Sequence, residues 1–160
     1  ELLLDGPGPH EAAFRDWPAP DLLDAEPGSF ERHGVLDLLG ALHGPEVALG
    51  QGAFAYIEPT RALIAVDVNT GADTSPAAGL KANLGTARAL PRALRLRGLG
   101  GQIVIDPAPM PKKDRRAFEQ ALRAAFRTDP IETALVGWTP LGHFELQRKR
   151  ERLPLTGAFR

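Results

Sequence analysis

Ala62-Leu63-Ile64-Ala65-Val66-Asp67-Val68 runs straight into Asn69-Thr70-Gly71, and further on Gln102-Ile103-Val104-Ile105-Asp106 ends at Pro107. Between these apolar runs lie a helix-like stretch and Gly98-Leu99-Gly100-Gly101. Arg61 to Met110 therefore reads as strand, crossover helix, strand. Strands joined in this way are as a rule parallel neighbours with a right-handed crossover. Continuous apolar runs are the pattern of parallel strands buried on both faces. Each run carries one carboxylate at its C-terminal end, and that end of an open α/β sheet is where ligands bind. Asp67 and Asp106 are accordingly expected side by side on a functional edge.

The rest of the chain is read outward from this unit. Glu58-Pro59-Thr60-Arg61 is a turn signal, so the alternating stretch Ala53 to Ile57 is expected to form a hairpin with Ala62–Val68. Glu46 to Leu49 reads as a short extension before Gly50-Gln51-Gly52. Gly34 to His43 reads as an amphipathic helix, with Val35, Leu38, Leu39 and Leu42 on one face, closed by Gly44-Pro45. After the small polar loop Asn69 to Pro76, a helix is expected from about Ala77, with Leu80, Leu84, Ala87 and Leu94 on its inner side. Pro91 falls inside that pattern and predicts a kink or a break. Gly100 or Gly101 is the expected stop. A second helix, Lys112 to Phe126, should bury Ala117, Phe118, Ala121, Leu122 and Ala125 and end at Asp129-Pro130. Thr133 to Trp138 and Gly142 to Leu146 read as further strands. The fold class expected is α/β, a mixed, partly parallel sheet flanked by helices.

The chain has 160 residues, 43% hydrophobic and 24% charged, enough for one domain with a real core. Residues 1–31 are rich in Pro, Gly, Asp and Glu, with a short strand expected at Glu1–Asp5 and two helical turns from His10 to Trp17. A boundary near residue 20 would make residues 1–20 an N-terminal extension and 21–160 the main domain. The sequence opens on Glu1 rather than Met, as expected for a piece of a longer chain. No apolar run is long enough to span a membrane, and no signal peptide is visible. There is no cysteine, hence no disulfide framework and no thiolate metal site, which fits a reducing cytoplasm. The net charge of −1 hides an asymmetry: residues 1–60 hold two Lys/Arg against eleven Asp/Glu, and residues 61–160 hold seventeen against nine. A basic half of this kind suits an anionic partner, although the two halves attracting each other would explain the split equally well.

Asp67, Asn69 and Asp106 form the leading constellation. Two carboxylates a few ångströms apart repel each other, and a hard divalent cation relieves that repulsion. Mg2+ uses one or two carboxylates, waters and a substrate phosphate. Asn69 shares a strand face with Asp67, so its amide can fix the carboxylate or meet a phosphate. The plainer reading is that strand-terminal Asp residues cap loops or the next helix. His10, His33, His43 and His143 show no zinc-site spacing, and His143 reads as a plain surface residue. Neither Ser29 nor Ser75 lies in G-x-S-x-G, and the glycines at 98–101 precede a strand instead of following one. A serine hydrolase, a dinucleotide site and a P-loop are thereby disfavoured. The basic clusters are Arg88/Arg92/Arg95, Lys112/Lys113/Arg115/Arg116 and Arg148–Arg152. Lys112 and Lys113 follow the Asp106 strand closely, a placement that suits phosphate contacts. Trp138 and Phe144 are able to stack on a base, with core packing the default.

The stretches Ile57-Glu58-Pro59-Thr60-Arg61-Ala62-Leu63-Ile64-Ala65-Val66-Asp67-Val68-Asn69-Thr70-Gly71, Asn83-Leu84, Leu94 to Asp106 and Leu141-Gly142-His143-Phe144-Glu145-Leu146-Gln147-Arg148-Lys149-Arg150 resemble the ribonuclease E/G family. The resemblance covers roughly residues 30–152 and is similar to the family's DNase-I-like catalytic subdomain, with residues 1–20 as the end of an RNase-H-like subdomain. It implies that Asp67 and Asp106 hold a catalytic Mg2+, for which Mn2+ substitutes, and that Asn69 orients Asp67. It further implies endonucleolytic hydrolysis of single-stranded RNA to a 5′-phosphate and a 3′-hydroxyl, in RNA processing or decay in a bacterial cytoplasm. Lys112, Lys113, Arg115, Arg148 and Arg150 are the expected RNA contacts. A homo-oligomer, or family domains beyond this stretch, are the expected protein partners.

The chain also departs from the family pattern. Pro107-Ala108-Pro109 stands where the family has a second acidic residue, the loop after Asp67 is short, and Ala72 replaces a typical Arg. These residues include no OB-fold RNA-binding domain, no 5′-end sensor and no cysteine pair for a zinc link between protomers. Weak activity of the stretch by itself is therefore expected. The alternative is a non-catalytic RNA-binding or assembly module that keeps the fold.

Overall fold

The computed structural model describes residues 2–10 and 23–155. Its contacts divide the chain into two compact units, Glu1–Gly44 and Pro45–Arg160. In the first, β1 (Leu2–Leu3) pairs in parallel with β2 (Leu23–Asp24). Two helices follow, α1 (Ser29–Arg32) and α2 (Val35–His43). Because β1 pairs with β2, residues on both sides of position 20 belong to this one unit, and the contacts part at Gly44/Pro45 instead. The helical turns expected up to Trp17 lie, beyond His10, outside the described residues. α2 occupies the predicted span, but Leu38 is 67% exposed and none of its residues is buried.

The second unit is built on six strands: β3 (Glu46–Gly50), β4 (Ala53–Pro59), β5 (Ile64–Asn69), β6 (Gly101–Asp106), β7 (Thr133–Trp138) and β8 (Phe144–Arg148). Their order in the sheet is β3-β4-β5-β6-β8-β7. β5 and β6 are parallel and the other neighbours antiparallel, which is the mixed sheet that the hairpin and crossover signals predict. Among the described residues the unit also holds the helices α3 (Pro76–Arg97) and α4 (Arg115–Arg127), the latter entered through a 3-10 turn at Lys112–Asp114.

Both helices bury one face of the sheet, in a single core with Ile57, Ile64, Val66, Leu90, Leu94, Ile103, Ile105, Phe118, Leu122, Phe144 and Leu146 at its centre. The two parallel strands are not buried on both sides. Burial alternates along them, and Ala65, Asp67, Gln102, Val104 and Asp106 on the opposite face are exposed or half-buried. Small or β-branched residues at positions 65 and 104 made an alternating strand look like a continuous apolar run.

α3 runs unbroken through Pro91. The ring forgoes one backbone hydrogen bond, and burial of Leu90, Pro91 and Leu94 in the core offsets that loss. The buried side of α3 is Gly79, Ala82, Asn83, Thr86, Ala87, Leu90, Ala93 and Leu94, whereas Leu80 and Leu84 are half-buried. The helix stops at Gly98, earlier than Gly100 or Gly101. Gly98 takes φ 63°, its N–H donates to the Arg95 carbonyl (3.1 Å), and the Leu99 N–H donates to that of Leu94 (2.9 Å). These two bonds, with Leu94 and Leu99 both buried, are a Schellman ending, which needs the glycine immediately after the last helical residue. On α4 the buried residues are Phe118, Leu122 and Phe126, while Ala117 is exposed.

Two features of α3 hold the loop after β6. Asn83, fully buried, donates through Nδ2 to the Ala108 carbonyl (2.9 Å) and accepts from the Ala108 N–H (2.8 Å). A Cβ at Gly79 would stand 2.5 Å from the Pro109 carbonyl oxygen, so only glycine allows this approach. A second buried knot fixes the end of β8. The Arg148 guanidinium donates to Asp129 Oδ1 (3.1 Å) and Thr133 Oγ1 (2.8 Å), lies 5.8 Å from the Phe126 ring centroid, and shares Asp129 with Arg95.

Asn83→Ala would strand the Ala108 N–H and C=O in the core. Each unsatisfied group costs about 1–3 kcal/mol, which urea unfolding should register at roughly that size. For Asp129, burial pushes the carboxyl up, but the Ile131 N–H and the guanidinia of Arg95 and Arg148 outweigh it and hold the group below its ordinary value. A depressed carboxyl stabilises the fold above its unfolded value and loses that contribution as pH falls through the folded one. Acid unfolding should therefore set in below about pH 4. Asp129→Ala, which leaves Arg148 buried without its partner, should cost roughly 3–5 kcal/mol in urea unfolding at neutral pH.

Candidate functional site

The parallel register of β5 on β6 pairs Ile64 with Ile103, Val66 with Ile105 and Asp67 with Asp106. Ile64, Val66, Ile103 and Ile105 turn into the core. Strand alternation then sends Asp67 and Asp106 to the other face, on backbones about 4.8 Å apart. Both are exposed, the Asp106 side chain by 66%. Among the described residues no Lys or Arg stands within ion-pair range of either. Two adjacent carboxylates with no Lys or Arg beside them form a local concentration of negative charge facing solvent.

Asn69 lies on the same face of β5, two residues on. Its Oδ1 accepts the Gly71 N–H (2.9 Å) and closes the turn that leaves the strand. Asn69 thus takes a loop-closing role of the kind weighed for the strand-terminal Asp residues.

A residue that sequence reasoning set aside also belongs here. His143 Nε2 lies 3.6 Å from Asp106 Oδ1. β8 runs antiparallel to β6 with Phe144 opposite Ile105, so His143 comes level with Asp106. Its N–H donates to Thr139 Oγ1 (3.1 Å) and its carbonyl accepts the Thr139 N–H (2.8 Å), which sets the residue in the turn between β7 and β8. The signal was long-range: nothing local tells that the strand after His143 pairs with the strand ending at Asp106.

The structure sorts the expected basic residues. Lys112 and Lys113 are exposed on the 3-10 turn beyond the loop that Asn83 and Gly79 hold. The Arg115 guanidinium lies 4.4 Å from the Trp138 ring centroid and borders Gly142, one residue from His143. Arg148 is a correction: it is 1% exposed and engaged with Asp129, so its guanidinium is not open to an RNA strand. Arg150 is exposed, but its Nε donates to the Gly100 carbonyl (3.3 Å) at the start of β6. Asp106 ends that strand, so Arg150 sits at the opposite edge of the sheet, about 17 Å away at ordinary strand rise. Arg95 is paired with Asp129, whereas Arg88 and Arg92 are exposed beside the groove between α3 and α4. Trp138 and Phe144 pack with Phe118, their ring centroids 5.1–5.9 Å apart, which is the core role taken as their default.

As for ions, Asp67 and Asp106 are the neighbouring exposed carboxylates on this face that could hold one. Among the described residues no group of three or more His, Cys, Asp or Glu is arranged to hold a metal by protein atoms alone. No helix among them is long and apolar enough to cross a membrane.

Known proteins match the chain across this region. A model of the ribonuclease E/G family matches residues 20–151. Ribonuclease G of Salmonella typhimurium is 38% identical over 116 residues, covering 67% of this chain and 23% of that protein. Ribonuclease E of a Nostoc species is 37% identical over 112 residues, 67% of this chain and 16% of that protein. Ribonuclease G of Haemophilus influenzae is 33% identical over 128 residues, 77% of this chain and 26% of that protein. The chain spans about a quarter or less of the length of these relatives. The match to the family model takes in the paired aspartates, the crossover helix and the His143 turn alike, and on it the chain belongs to the ribonuclease E/G family.

Proposed function

We propose that this chain is the catalytic, DNase-I-like part of a divalent-metal-dependent endoribonuclease that hydrolyses single-stranded RNA. The observation that carries the reading is the register of Asp67 on Asp106, which brings two exposed carboxylates together on the open face of the sheet. Their donor set fits Mg2+, or Mn2+ in its place: hard carboxylate oxygens, no Lys or Arg among the described residues within ion-pair range, and an exposed side for waters and a phosphate, with His143 beside Asp106 alone. A bound cation supplies Lewis-acid stabilisation of charge at the phosphodiester.

The remaining roles fall to side chains of the chain. Asp67 and Asp106 hold the ion, and between strands of a packed sheet their separation is set before any substrate arrives. Asn69, braced by Gly71, presents an amide N–H to Asp67 or to a phosphate oxygen. His143 flanks Asp106 and limits the ways in which that carboxylate turns. Lys112, Lys113 and Arg115 supply positive charge for the RNA backbone, which gives affinity without base specificity. The rival reading, an RNA-binding or assembly module without catalysis, draws on Pro107-Ala108-Pro109, which stands where the family pattern has an acid and whose Pro109 carbonyl lies against Gly79.

Asp67→Asn and Asp106→Asn should each lower Mg2+-dependent cleavage of a single-stranded RNA by at least about 100-fold, the scale of losing a main charge-stabilising group. Calorimetric titration should show Mg2+ or Mn2+ binding to the wild type and its loss in both variants. Equal cleavage by wild type and Asp67→Asn would sink the catalytic assignment. Salt-sensitive RNA binding with neither cation binding nor cleavage would favour the non-catalytic module.

A further inference from the structure

The row of side chains across the open face extends beyond the aspartates. On β4, Tyr56 pairs with Asp67 and Phe54 pairs with Asn69. Ala55 and Ile57, which alternate with them, are buried in the core, so Phe54 and Tyr56 share the face that carries Asp67, Asn69 and Asp106. Their rings meet edge to face, with centroids 5.1 Å apart and planes at 74°. Both residues are half-buried. Read from strand to strand at one level, the face presents Tyr56, Asp67, Asp106 and then His143.

Aromatic pairs on a sheet surface commonly stabilise it by packing against apolar cross-strand neighbours. Here those neighbours are missing. Tyr56 lies between Glu46 on β3 and Asp67 on β5, both carboxylates, and Phe54 lies between Ala48 and Asn69. Apart from each other, the two rings have one small apolar residue for a cross-strand partner. An aromatic surface that its own sheet does not cover, one strand from a candidate phosphodiester site, suits the flat face of an unpaired base. Single-stranded RNA is bound in this way: unstacked bases settle on aromatic side chains of a sheet while cationic groups track the backbone.

We infer that Phe54 and Tyr56 form a base-stacking platform, on which Tyr56 takes the base of a nucleotide flanking the phosphate held at Asp67 and Asp106. This rests on the proposed RNA reading and adds a substrate contact to it. Phe54 supports the Tyr56 ring edge-on. Stacking is tolerant of base identity, so the platform contributes affinity and alignment rather than sequence preference. It also places the strand on the β4 side of the aspartates, with His143 on the other side.

The test is equilibrium binding of a fluorescein-labelled ten-nucleotide single-stranded RNA to the whole chain in EDTA, where neither cation nor cleavage is involved. Tyr56→Ile keeps a strand-favouring apolar side chain and should weaken binding about tenfold, the scale of one lost base–aromatic stack. Tyr56→Trp should retain wild-type affinity, and its added indole should be quenched when RNA binds. Replacing the bases one at a time by abasic sites should weaken wild-type binding strongly at one position and leave Tyr56→Ile indifferent there. Thermal melts check that the variants fold. If Tyr56→Ile melts early, the quenching of Tyr56→Trp decides instead. Unchanged affinity in a folded Tyr56→Ile, an unquenched indole, or the same loss with and without the base would overturn the platform. Any of these with metal-dependent cleavage intact would leave the catalytic reading standing. Loss of the catalytic reading alone would leave this binding result untouched.

Discussion

The site depends on one pairing, β6 laid parallel to β5 with Asp106 level with Asp67. A slip of one residue would turn one carboxylate into the core, where an unpaired charge is too costly to keep. The register is protected by what lies beneath it. Ile64, Val66, Ile103 and Ile105 are almost wholly buried, and this pairing puts all four under the helices at once. The packing that stabilises the sheet therefore also sets the spacing of the acids above it. Two like charges held close are unfavourable in themselves, and the core beneath them supplies the stability that the arrangement lacks.

The sheet is covered by helices on one face, and this asymmetry divides the labour of the second unit. The covered face holds the aromatic cluster of Phe118, Trp138 and Phe144 and the buried knot of Arg95, Asp129 and Arg148. The opposite face holds the groups with chemistry to offer: the aspartates, Asn69, Glu145 and Tyr56. Asn83 and Gly79 reach from α3 to the loop that follows Asp106 and tie the C-terminal edge of the sheet to its core. That edge is a place where backbone leaving a strand would otherwise be free to move, and a carboxylate carried on it keeps its position because the loop is pinned on the covered side.

Much of this was legible from the chain as text. The strand spans, the hairpin of β4 with β5, the crossover helix and the parallel neighbours follow from local periodicity and turn residues, which act within a few positions of one another. The readings that needed revision share a different cause. Arg148 looked like one more residue of a basic tail, yet a single buried carboxylate from the turn before β7 draws it inward. His143 looked like an isolated surface residue, yet the pairing of β8 with β6 sets it beside Asp106. Pro91 looked like a break, yet the core on which α3 lies holds the helix through it. Tyr56 went unremarked because strand alternation alone does not tell which face of β4 the helices cover.

Within the second unit the amino-acid sequence by itself determined where the strands and the helices α3 and α4 run and which two aspartates end the parallel pair, because hydrophobic period and backbone chemistry are local properties; β2 and α1 were not legible in it. Its similarity to known proteins determined the family. Only the tertiary structure decided which face of the sheet stays open, which cations are buried and which face solvent, and which side chains stand in the row with Asp67 and Asp106. Those outcomes depend on register between strands far apart in sequence and on where two helices come to rest. Both are settled by burying the largest apolar surface at once, a property of the whole fold that no short stretch of residues carries.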